Sequence, residues 1–287
     1  MSTVSVAIPC YNQGAFIDET VDSVLNQTFQ DLEIIIVNDG SIDEDTIRIL
    51  ENYNKPKTQV LHTSNQGLAA ARNNGIKKSK GKYILPLDAD DKIGPSYLEK
   101  AVEILDKNEK IGIVYCEAEF FGDRNGRWTL PVYQFPRILI NNMIFCSGVF
   151  RKSDWDRTDG YRSNIPGWED HDFWLSIIEL EKEVYRIPET LFFYRQHMGS
   201  MRQIWARESY INNFSQLFNN HRKLYSDNIG AIFEHIFDLE SKAASYASIS
   251  GTVFYKLWVQ WFRIKSHSSR IRKILERSEG SKRGLIR

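Results

Sequence analysis

The stretch Tyr83-Ile-Leu-Pro-Leu-Asp-Ala-Asp-Asp91 joins a short apolar run to three carboxylates. A short apolar run bounded by turn-type residues predicts a buried strand, here over residues 82–87. Side chains alternate along a strand, so Asp88 and Asp90 are expected on one face if the extended geometry continues. Two hard oxygen ligands at the end of a buried strand suit Mg²⁺ or Mn²⁺, with a phosphate completing the coordination shell.

Two other interpretations of this acidic cluster stay open on the residues alone. Aspartate is a common turn and helix-capping residue, so the cluster could simply precede the next helix. Asp88 and Glu99 also have the spacing of the first and twelfth positions of an EF-hand calcium loop. However, Ile93 stands where that loop needs glycine, and the predicted strand stands where it needs a helix.

The composition is that of an ordinary globular protein. The 287 residues are 42% hydrophobic and 26% charged, enough for one large domain or a domain with an extension. The formal net charge is zero, so we expect no nucleic-acid partner. Three widely spaced cysteines argue against a disulfide framework and a paired-cysteine zinc site. We expect a cytoplasmic protein, since no signal-peptide pattern and no run of roughly 18 apolar residues is present.

Strand-type and helix-type segments alternate through the first part of the chain. Apolar runs occupy residues 4–8, 32–37, 58–62 and 82–87, and helical spacing occupies residues 15–26, 42–53, 65–78 and 95–108. This order predicts an α/β fold with a mostly parallel sheet flanked by helices. Further strands are expected at 111–115, 184–187 and 191–194, and a helix at 169–180.

The pattern of apolar residues changes near residue 200, and helical spacing dominates after it. We therefore expect one domain over residues 1–200, with halves of about 1–115 and 116–200. An α-helical C-terminal region is expected over residues 201–287.

Polar residues follow the predicted strands where each of them ends. In a parallel sheet these ends line one edge, so the side chains are expected to converge there. Pro9 and Tyr11 end the first strand, Asp39 ends the second, and Asp88 and Asp90 end the fourth. Arg72 lies one to two turns into the helix that follows the third strand. Taken singly, Asp39 could be only a turn residue and Arg72 only a surface charge on a helix.

Five segments in order resemble the family 2 glycosyltransferases, which have the A-type glycosyltransferase fold. They are Val4-Ser-Val-Ala-Ile-Pro-Cys-Tyr-Asn12, Val37-Asn-Asp-Gly-Ser-Ile-Asp43, Asn65-Gln-Gly-Leu-Ala-Ala-Ala-Arg-Asn73, Leu87-Asp-Ala-Asp-Asp91 and Gly167-Trp-Glu-Asp170. The resemblance covers about residues 3–197 and places the nucleotide-sugar half first and the acceptor half second.

The resemblance implies an inverting enzyme that moves a sugar from a nucleotide-diphosphate sugar to a hydroxyl of a glycan or lipid-linked acceptor, in surface polysaccharide biosynthesis. It implies a divalent Mn²⁺ or Mg²⁺ as cofactor. The matching positions are Pro9, Tyr11 and Asp39 for the nucleoside, Arg72 near the nucleotide, Asp88 on the ribose side and at the metal, Asp90 at the metal, and Asp170 as catalytic base. His197 matches a segment that closes the site and is expected as a third metal ligand or in contact with the diphosphate, or as a satisfied structural group.

Two other functions stay possible at this stage. A nucleotidyltransferase would normally have a glycine-rich basic loop after its first strand, where this chain has Pro9-Cys-Tyr-Asn-Gln-Gly14. A non-catalytic sugar-nucleotide sensor would keep Asp39 and Asp88 but would not need Asp170.

The last segment, residues 252–287, is basic and aromatic. It holds ten Lys or Arg against two Glu, together with Trp258 and Trp261. Such a segment can lie on an anionic membrane surface as a peripheral attachment. The alternative is a helix packed on the catalytic domain with a solvated basic tail.

Overall fold

One continuous sheet of nine strands runs through the part of the chain that the structure describes. The computed structural model describes residues 2–197 and 207–251. The strands are β1 Val4–Cys10, β2 Leu32–Asp39, β3 Thr58–Thr63, β4 Tyr83–Pro86, β5 Lys92–Ile93, β6 Ile111–Gly122, β7 Gly126–Trp128, β8 Val149–Arg151 and β9 Glu183–Gln196. The helices are α1 Gly14–Leu25, α2 Glu44–Glu51, α3 Leu68–Lys78, α4 Tyr97–Lys107, α5 Lys152–Trp155, α6 Glu169–Glu179, α7 Arg207–Asn220, α8 Arg222–Asp227 and α9 Ile229–Gly251.

The first half of the sheet is parallel, in the order β3-β2-β1-β4. Every residue of β1 is buried, as expected for a strand that is covered on both faces. Helix α3 packs on β1 and β2, and a Cβ added at Gly75 would lie 3.0 Å from the Cβ of Ala7. The predicted α/β fold with a mostly parallel sheet is confirmed. All pairings among β3, β2, β1 and β4 are parallel.

The second half of the sheet is mixed. Strand β8 pairs antiparallel with both β4 and β6, and β6 pairs parallel with β9. The short strands β5 and β7 add antiparallel edges to β9 and β6. Arg151 at the end of β8 is buried and donates to the carbonyls of Leu105, Asn108 and Ile111. This one side chain therefore ties the C-terminal end of α4 to the sheet.

Strand β9 differs from the prediction, which has two separate strands at 184–187 and 191–194. The structure has one strand, Glu183–Gln196, with a register shift between its pairings at Ile187 and Thr190. Pro188 lies at that shift, and proline cannot donate to a strand ladder. The break in the apolar pattern is therefore an irregularity inside one strand.

Helix α2 is shorter than the predicted segment 42–53 because its N-terminus is set by a cap. The Asp43 side chain accepts from the backbone N–H of Thr46 at 2.8 Å. Such a bond satisfies one of the free N–H groups at a helix start. Strand β6 extends to Gly122, well beyond the predicted end at residue 115. The other predicted helices and strands occur within a few residues of their expected bounds.

The described chain after residue 206 is helical, as predicted. By its internal contacts the chain divides into two compact units, residues 1–229 and 230–287. Helices α7 and α8 belong to the first unit, and α9 beyond its first residue belongs to the second. The functional division near residue 200 stays a prediction. None of the helices within the described ranges is long and apolar enough to cross a membrane, and residues 252–287 lie outside those ranges.

Candidate active site

The loops that follow β1, β2 and β3 are hydrogen-bonded to one another. The Asn12 side-chain oxygen accepts from the backbone N–H of Ile42 at 2.8 Å. The Asp39 carboxylate accepts from the backbone N–H groups of Gln66 at 3.0 Å and Gly67 at 2.8 Å. The carboxyl ends of these strands therefore lie along one edge of the sheet, as the sequence predicts.

Three residues predicted to hold a nucleoside lie at this edge. Pro9 sits in β1 opposite Val37, and Tyr11 directly follows β1 with 42% of its surface exposed. Asp39 ends β2 and is buried. Gly40 next to it has a φ of +67°, and a Cβ there would lie 2.4 Å from a backbone nitrogen, so only glycine fits. The role of Pro9, Tyr11 and Asp39 at a nucleoside stays a prediction.

Arg72 is a buried cation that links Asp88, at the acidic turn, to Glu169, at the start of α6. Its NH2 donates to the Asp88 carboxylate at 2.8 Å, and its NH1 donates to Glu169 at 2.6 Å. Burial alone would lower the pKa of Arg72, but these two carboxylates raise it well above its ordinary value. Arg72 is therefore no surface helix charge. Glu169 was missed as a site residue because it lies 97 positions from Arg72 and no spacing connects them.

The segment from Asp88 to Asp91 forms a turn, so the extended geometry on which a shared face for Asp88 and Asp90 depended does not continue. The backbone N–H of Asp91 donates to the carbonyl of Asp88 at 3.1 Å. Asp88 accepts from the thiol of Cys146 at 3.4 Å, whereas Asp90 lies 3.1 Å from Nε2 of His197. The extended geometry ends at Pro86, and alternation no longer applies beyond it.

Asp91 is a second residue that sequence reasoning missed. It is fully buried, and its Oδ1 accepts from the backbone N–H of Arg195 at 2.9 Å. Its Oδ2 has no hydrogen-bond partner among the described residues. Burial, with the charges of Asp90 and Asp88, raises the pKa of Asp91 well above its ordinary value. A buried carboxylate oxygen without a partner is costly, so this oxygen fits a bound cation or a proton.

The carboxylates fit a divalent cation. Ligand atoms of Asp88, Asp91 and Cys146 lie within 4.8 Å of one another. Burial raises the pKa of the Cys146 thiol well above its ordinary value, so its sulfur stays protonated and serves as a hydrogen-bond donor. Carboxylate oxygens are the ligands that Mg²⁺ and Mn²⁺ prefer, and the ring of His197 beside Asp90 suits Mn²⁺ as well.

Arg195 holds the acidic turn from the side of β9. Its Nε donates to the Asp90 carbonyl at 2.7 Å, and its guanidinium also pairs with Glu19. The same guanidinium lies 4.3 Å from the ring centroid of Phe121 and 4.9 Å from that of Phe16. These contacts give Arg195 a supporting role for the turn that carries the predicted metal ligands.

Asp170 is the second residue of α6 and lies on the other side of the Arg72 link. Its Oδ1 accepts from the backbone N–H of His171 at 2.7 Å, and its Oδ2 accepts from the Asn142 amide at 3.3 Å. Burial, and then the charge of Glu169, raise the pKa of Asp170 to about 7. A carboxylate with such a pKa can accept a proton near neutral pH.

Two clefts meet at Asp170. The first has a volume of about 930 Å³, and Arg72, Asp88 and Asp170 are in its lining. The second has a volume of about 540 Å³ and shares Asn142, Gly167 and Asp170 with the first. The predicted base therefore lines both cavities, with the Arg72–Asp88 pair on the first side only.

Helix α6 is anchored at its start by α7. The ring of Trp168 packs edge-on against Tyr210 and Phe214, with centroids 5.1 Å and 5.2 Å away. The buried carboxylate of Asp172 accepts from Asn220 at 2.7 Å. Trp168 is thus packed against protein on one side, and it also lines the second cleft.

Residues 5–164 match the family model described as Glycosyl transferase family 2, which covers more than half of the chain. The chain belongs to glycosyl transferase family 2. This family 2 glycosyltransferase is 33% identical over 184 residues to chondroitin synthase from Escherichia coli. That match covers 62% of this chain and 26% of the relative, so the chain spans about a quarter of that protein's length.

Solved structures show that the fold is shared. The structure of S. aureus TarS 1-349 in complex with UDP-GlcNAc superimposes with a TM-score of 0.63 at 20% identity, over 77% of this chain and 66% of that chain. The mannosyltransferase PcManGT from Pyrobaculum calidifontis, in complex with GDP-Man and Mn²⁺, gives a TM-score of 0.53 at 16% identity, over 89% and 82%. At these identities the likeness concerns the fold alone.

Proposed function

We propose that this family 2 glycosyltransferase moves a sugar from a nucleotide-diphosphate sugar to a hydroxyl of a glycan or lipid-linked acceptor, with inversion at the anomeric carbon, in polysaccharide biosynthesis. The observation that carries the proposal is the position of Asp170. It lines both clefts and has a pKa raised to about 7. A base in an inverting transfer must face the acceptor, whereas the leaving group departs from the opposite side.

The first cleft is proposed as the donor site. Asp88 and Arg72 line it, as do Gln66 and Gly67, whose N–H groups bond to Asp39. Pro9, Tyr11 and Asp39 are outside that lining and are proposed to contact the nucleoside from the adjoining edge of the sheet. Complexes of the structural neighbours with UDP-GlcNAc and with GDP-Man support a nucleotide-sugar as the class of donor.

A divalent cation, Mn²⁺ or Mg²⁺, is proposed at Asp88, Asp90 and His197. Nε2 of His197 lies 3.1 Å from Asp90, whereas the ligand atoms near Asp88 are those of Asp91 and Cys146, and Oδ2 of Asp91 has no described partner. When bound, such an ion neutralises charge on the diphosphate leaving group. The Mn²⁺ complex of PcManGT supports a metal in this fold.

The transfer then follows from the residues around Asp170. The acceptor hydroxyl oxygen attacks the anomeric carbon from the face opposite the diphosphate. As the new C–O bond forms, the bond from the anomeric carbon to the diphosphate oxygen breaks, and the hydroxyl proton passes to the Asp170 carboxylate. The Asn142 amide and the His171 N–H hold that carboxylate in place.

The cytoplasmic face of a membrane is the proposed location, with residues 252–287 as a peripheral attachment. The support is the basic and aromatic composition of that segment. Lipid-linked acceptors would be presented at such a surface.

A thermal-shift panel of nucleotide-sugars, with and without Mn²⁺, tests the donor and the metal together. A ligand at about 100 times its dissociation constant adds about 2.7 kcal/mol of stability. We expect stabilisation by one class of nucleotide-sugar that increases with Mn²⁺, and the loss of that increase in Asp90→Ala. Stabilisation by no nucleotide-sugar would contradict the proposed function. Donor binding without any transfer to glycan acceptors would favour the sensor instead.

A further inference from the structure

The second cleft is lined by a positively charged side chain, Arg137, that does not line the proposed donor site. Arg137 begins the 3₁₀ turn Arg137–Leu139 and lines this cleft, but it is absent from the lining of the first cleft. Its guanidinium makes no ion pair or side-chain hydrogen bond with any of the described residues, and its Nε is buried without a partner. A buried N–H group without a hydrogen-bond partner is unfavourable. A ligand that brings a hydrogen-bond-accepting oxygen to this position would therefore be favoured.

The backbone that carries Arg137 is held from two sides. His171 bonds through Nε2 to the carbonyl of Ile138 at 2.7 Å. The hydroxyl of Tyr225 donates to the carbonyl of Leu139 at 2.6 Å. Both contacts are buried, so the backbone of the turn that carries Arg137 is held in place before any ligand binds.

The charge of the second cleft is decided by few groups. Its ionisable lining residues are Arg137, Asp170, His171 and Tyr210. Burial lowers the pKa of His171 to about 4, so this histidine is neutral near pH 7. Among the described lining residues, Arg137 is therefore the fixed positive charge of the cleft, and it lies in the same cavity as the proposed base.

The remaining walls suit a sugar ring. Trp168 and Tyr210 supply aromatic surface, and the amides of Asn141 and Asn142 supply hydrogen-bonding groups. Aromatic rings cover the apolar face of a ligand while a few polar groups fix its orientation. The second cleft therefore suits a sugar that carries a negative charge, because it combines aromatic surface and amides with the Arg137 cation and the proposed base.

We propose that the second cleft is the acceptor subsite and that Arg137 recognises an oxyanion on the acceptor sugar, either a carboxylate or a phosphate. The assignment of this cleft as the acceptor subsite rests on the proposed function. Binding of an oxyanion by Arg137 does not depend on that function. A planar guanidinium binds either oxyanion through two parallel hydrogen bonds. The enzyme would then select acidic or phosphorylated acceptors over neutral ones.

NMR of the arginine Nε–H groups tests the site without any turnover. The Arg137 signal is assigned by its absence in Arg137→Gln, and the protein is titrated with D-glucuronate, α-D-glucose 1-phosphate and D-glucose. We expect one of the two anions to shift the Arg137 signal and D-glucose to leave it unchanged. A shift with glucuronate alone assigns a carboxylate, and a shift with glucose 1-phosphate alone assigns a phosphate.

Affinity measurements on variants complete the test. Arg137→Gln should weaken binding of the active anion, followed on the Trp168 indole signal, by roughly 10- to 100-fold, the loss of a charge-assisted hydrogen bond. Arg222→Gln is the matched control, because Arg222 is exposed, bonds only to Asn219 among the described side chains and lines neither cleft. Unchanged affinity in Arg137→Gln, or an Arg137 signal that neither anion moves, would overturn the proposal. The donor panel above decides the transferase assignment separately, since its readout is nucleotide-sugar binding.

Discussion

Asp170 is the residue whose removal tests the chemistry most directly. Asp170→Asn keeps the size of the side chain but cannot accept the proton of an acceptor hydroxyl. We expect single-turnover transfer to fall by roughly 10² to 10⁴. Donor affinity, measured by calorimetry, should stay close to that of the unaltered protein, because the proposed base touches the acceptor rather than the diphosphate.

Asp227→Asn is the control for that change. Asp227 ends α8 and pairs with the exposed Lys223, far in sequence from the site residues. It should transfer at the normal rate. Near-normal transfer by Asp170→Asn at saturating acceptor, or a product with retained configuration by NMR, would remove Asp170 from the mechanism.

The pH dependence of the transfer follows from the same carboxylate. Because burial and Glu169 raise the pKa of Asp170 to about 7, the group is protonated below that pH and cannot act as a base. The transfer rate should therefore rise with pH up to about 7 and then level off. In Asp170→Asn the residual rate should lose this rise. A flat profile for the unaltered protein between about pH 5.5 and 8 would contradict the assignment.

Arg72 is the residue that links the acidic turn at Asp88 to the start of α6 at Glu169. It is 2% exposed and pairs with Asp88 and Glu169, so Arg72→Gln leaves two carboxylates without their cation. Breaking a buried pair in this way costs roughly 3–5 kcal/mol of unfolding free energy. Urea unfolding measures that loss.

Arg48→Gln provides the comparison for Arg72. Arg48 pairs with Asp45 on the surface, where the two side chains are 73% and 78% exposed. An exposed pair contributes about 0–1 kcal/mol. Equal, small losses for the two variants would show that the Arg72 pairs add little to stability.

At the scale of elements, α6 carries Asp170 and its position depends on a buried network with α7. Asp172 accepts from Arg162 at 3.0 Å and from Asn220 at 2.7 Å, and it lies 3.1 Å from Nε2 of His221. Nδ1 of His221 lies 3.0 Å from Glu179. The N-terminal part of α6, which carries Asp170, is therefore supported by residues that lie about 50 positions further along the chain.

His221 makes this support depend on pH. Burial alone would lower the pKa of His221, but the contacts with Asp172 and Glu179 raise it. A raised histidine pKa contributes stability that is complete below its ordinary pKa and is lost as the pH rises through the folded value. The difference in unfolding free energy between the unaltered protein and His221→Gln should be larger at about pH 6 than at about pH 9.

Urea unfolding at the two pH values measures this difference. His171 titrates in both proteins, so its contribution largely cancels. A difference between the two proteins that does not change with pH would show that His221 stays neutral in the folded state.

At the scale of the whole molecule, the basic segment 252–287 is expected to bring the enzyme to an anionic surface. Each basic residue near such a surface contributes about 1 kcal/mol, and salt screens the attraction within a Debye length of about 8 Å at physiological strength. The full chain should sediment with anionic vesicles at low salt, and less so at high salt. Protein without residues 252–287 should stay in the supernatant.

Neutral vesicles of the same size serve as the control for that measurement. Equal sedimentation of the full and shortened proteins with anionic vesicles would contradict membrane docking. Loss of folding on truncation, seen by circular dichroism, would support a packed helix instead.

The sequence by itself determined the parallel half of the sheet and the edge at which its polar loops meet. Apolar runs such as Val4–Cys10 and Leu32–Asp39 are local patterns, and their burial in a parallel sheet follows from alternation with helices. The meeting of polar loops at one edge follows in turn, because the carboxyl ends of parallel strands lie side by side. Asp39, Arg72 and Asp88 could therefore be placed before any coordinates were known.

Only the tertiary structure decided which side chains meet across large sequence separations. Glu169 with Arg72, Arg195 with Asp91, and His197 with Asp90 are 97, 104 and 107 positions apart. Such contacts arise when β6, β8 and β9 join the first half of the sheet, and no local periodicity encodes them. The raised pKa of Asp170 likewise results first from burial and then from the charge of the adjacent Glu169, and the charge of Arg72 opposes the rise. The burial depends on the packed molecule, so local sequence does not encode it.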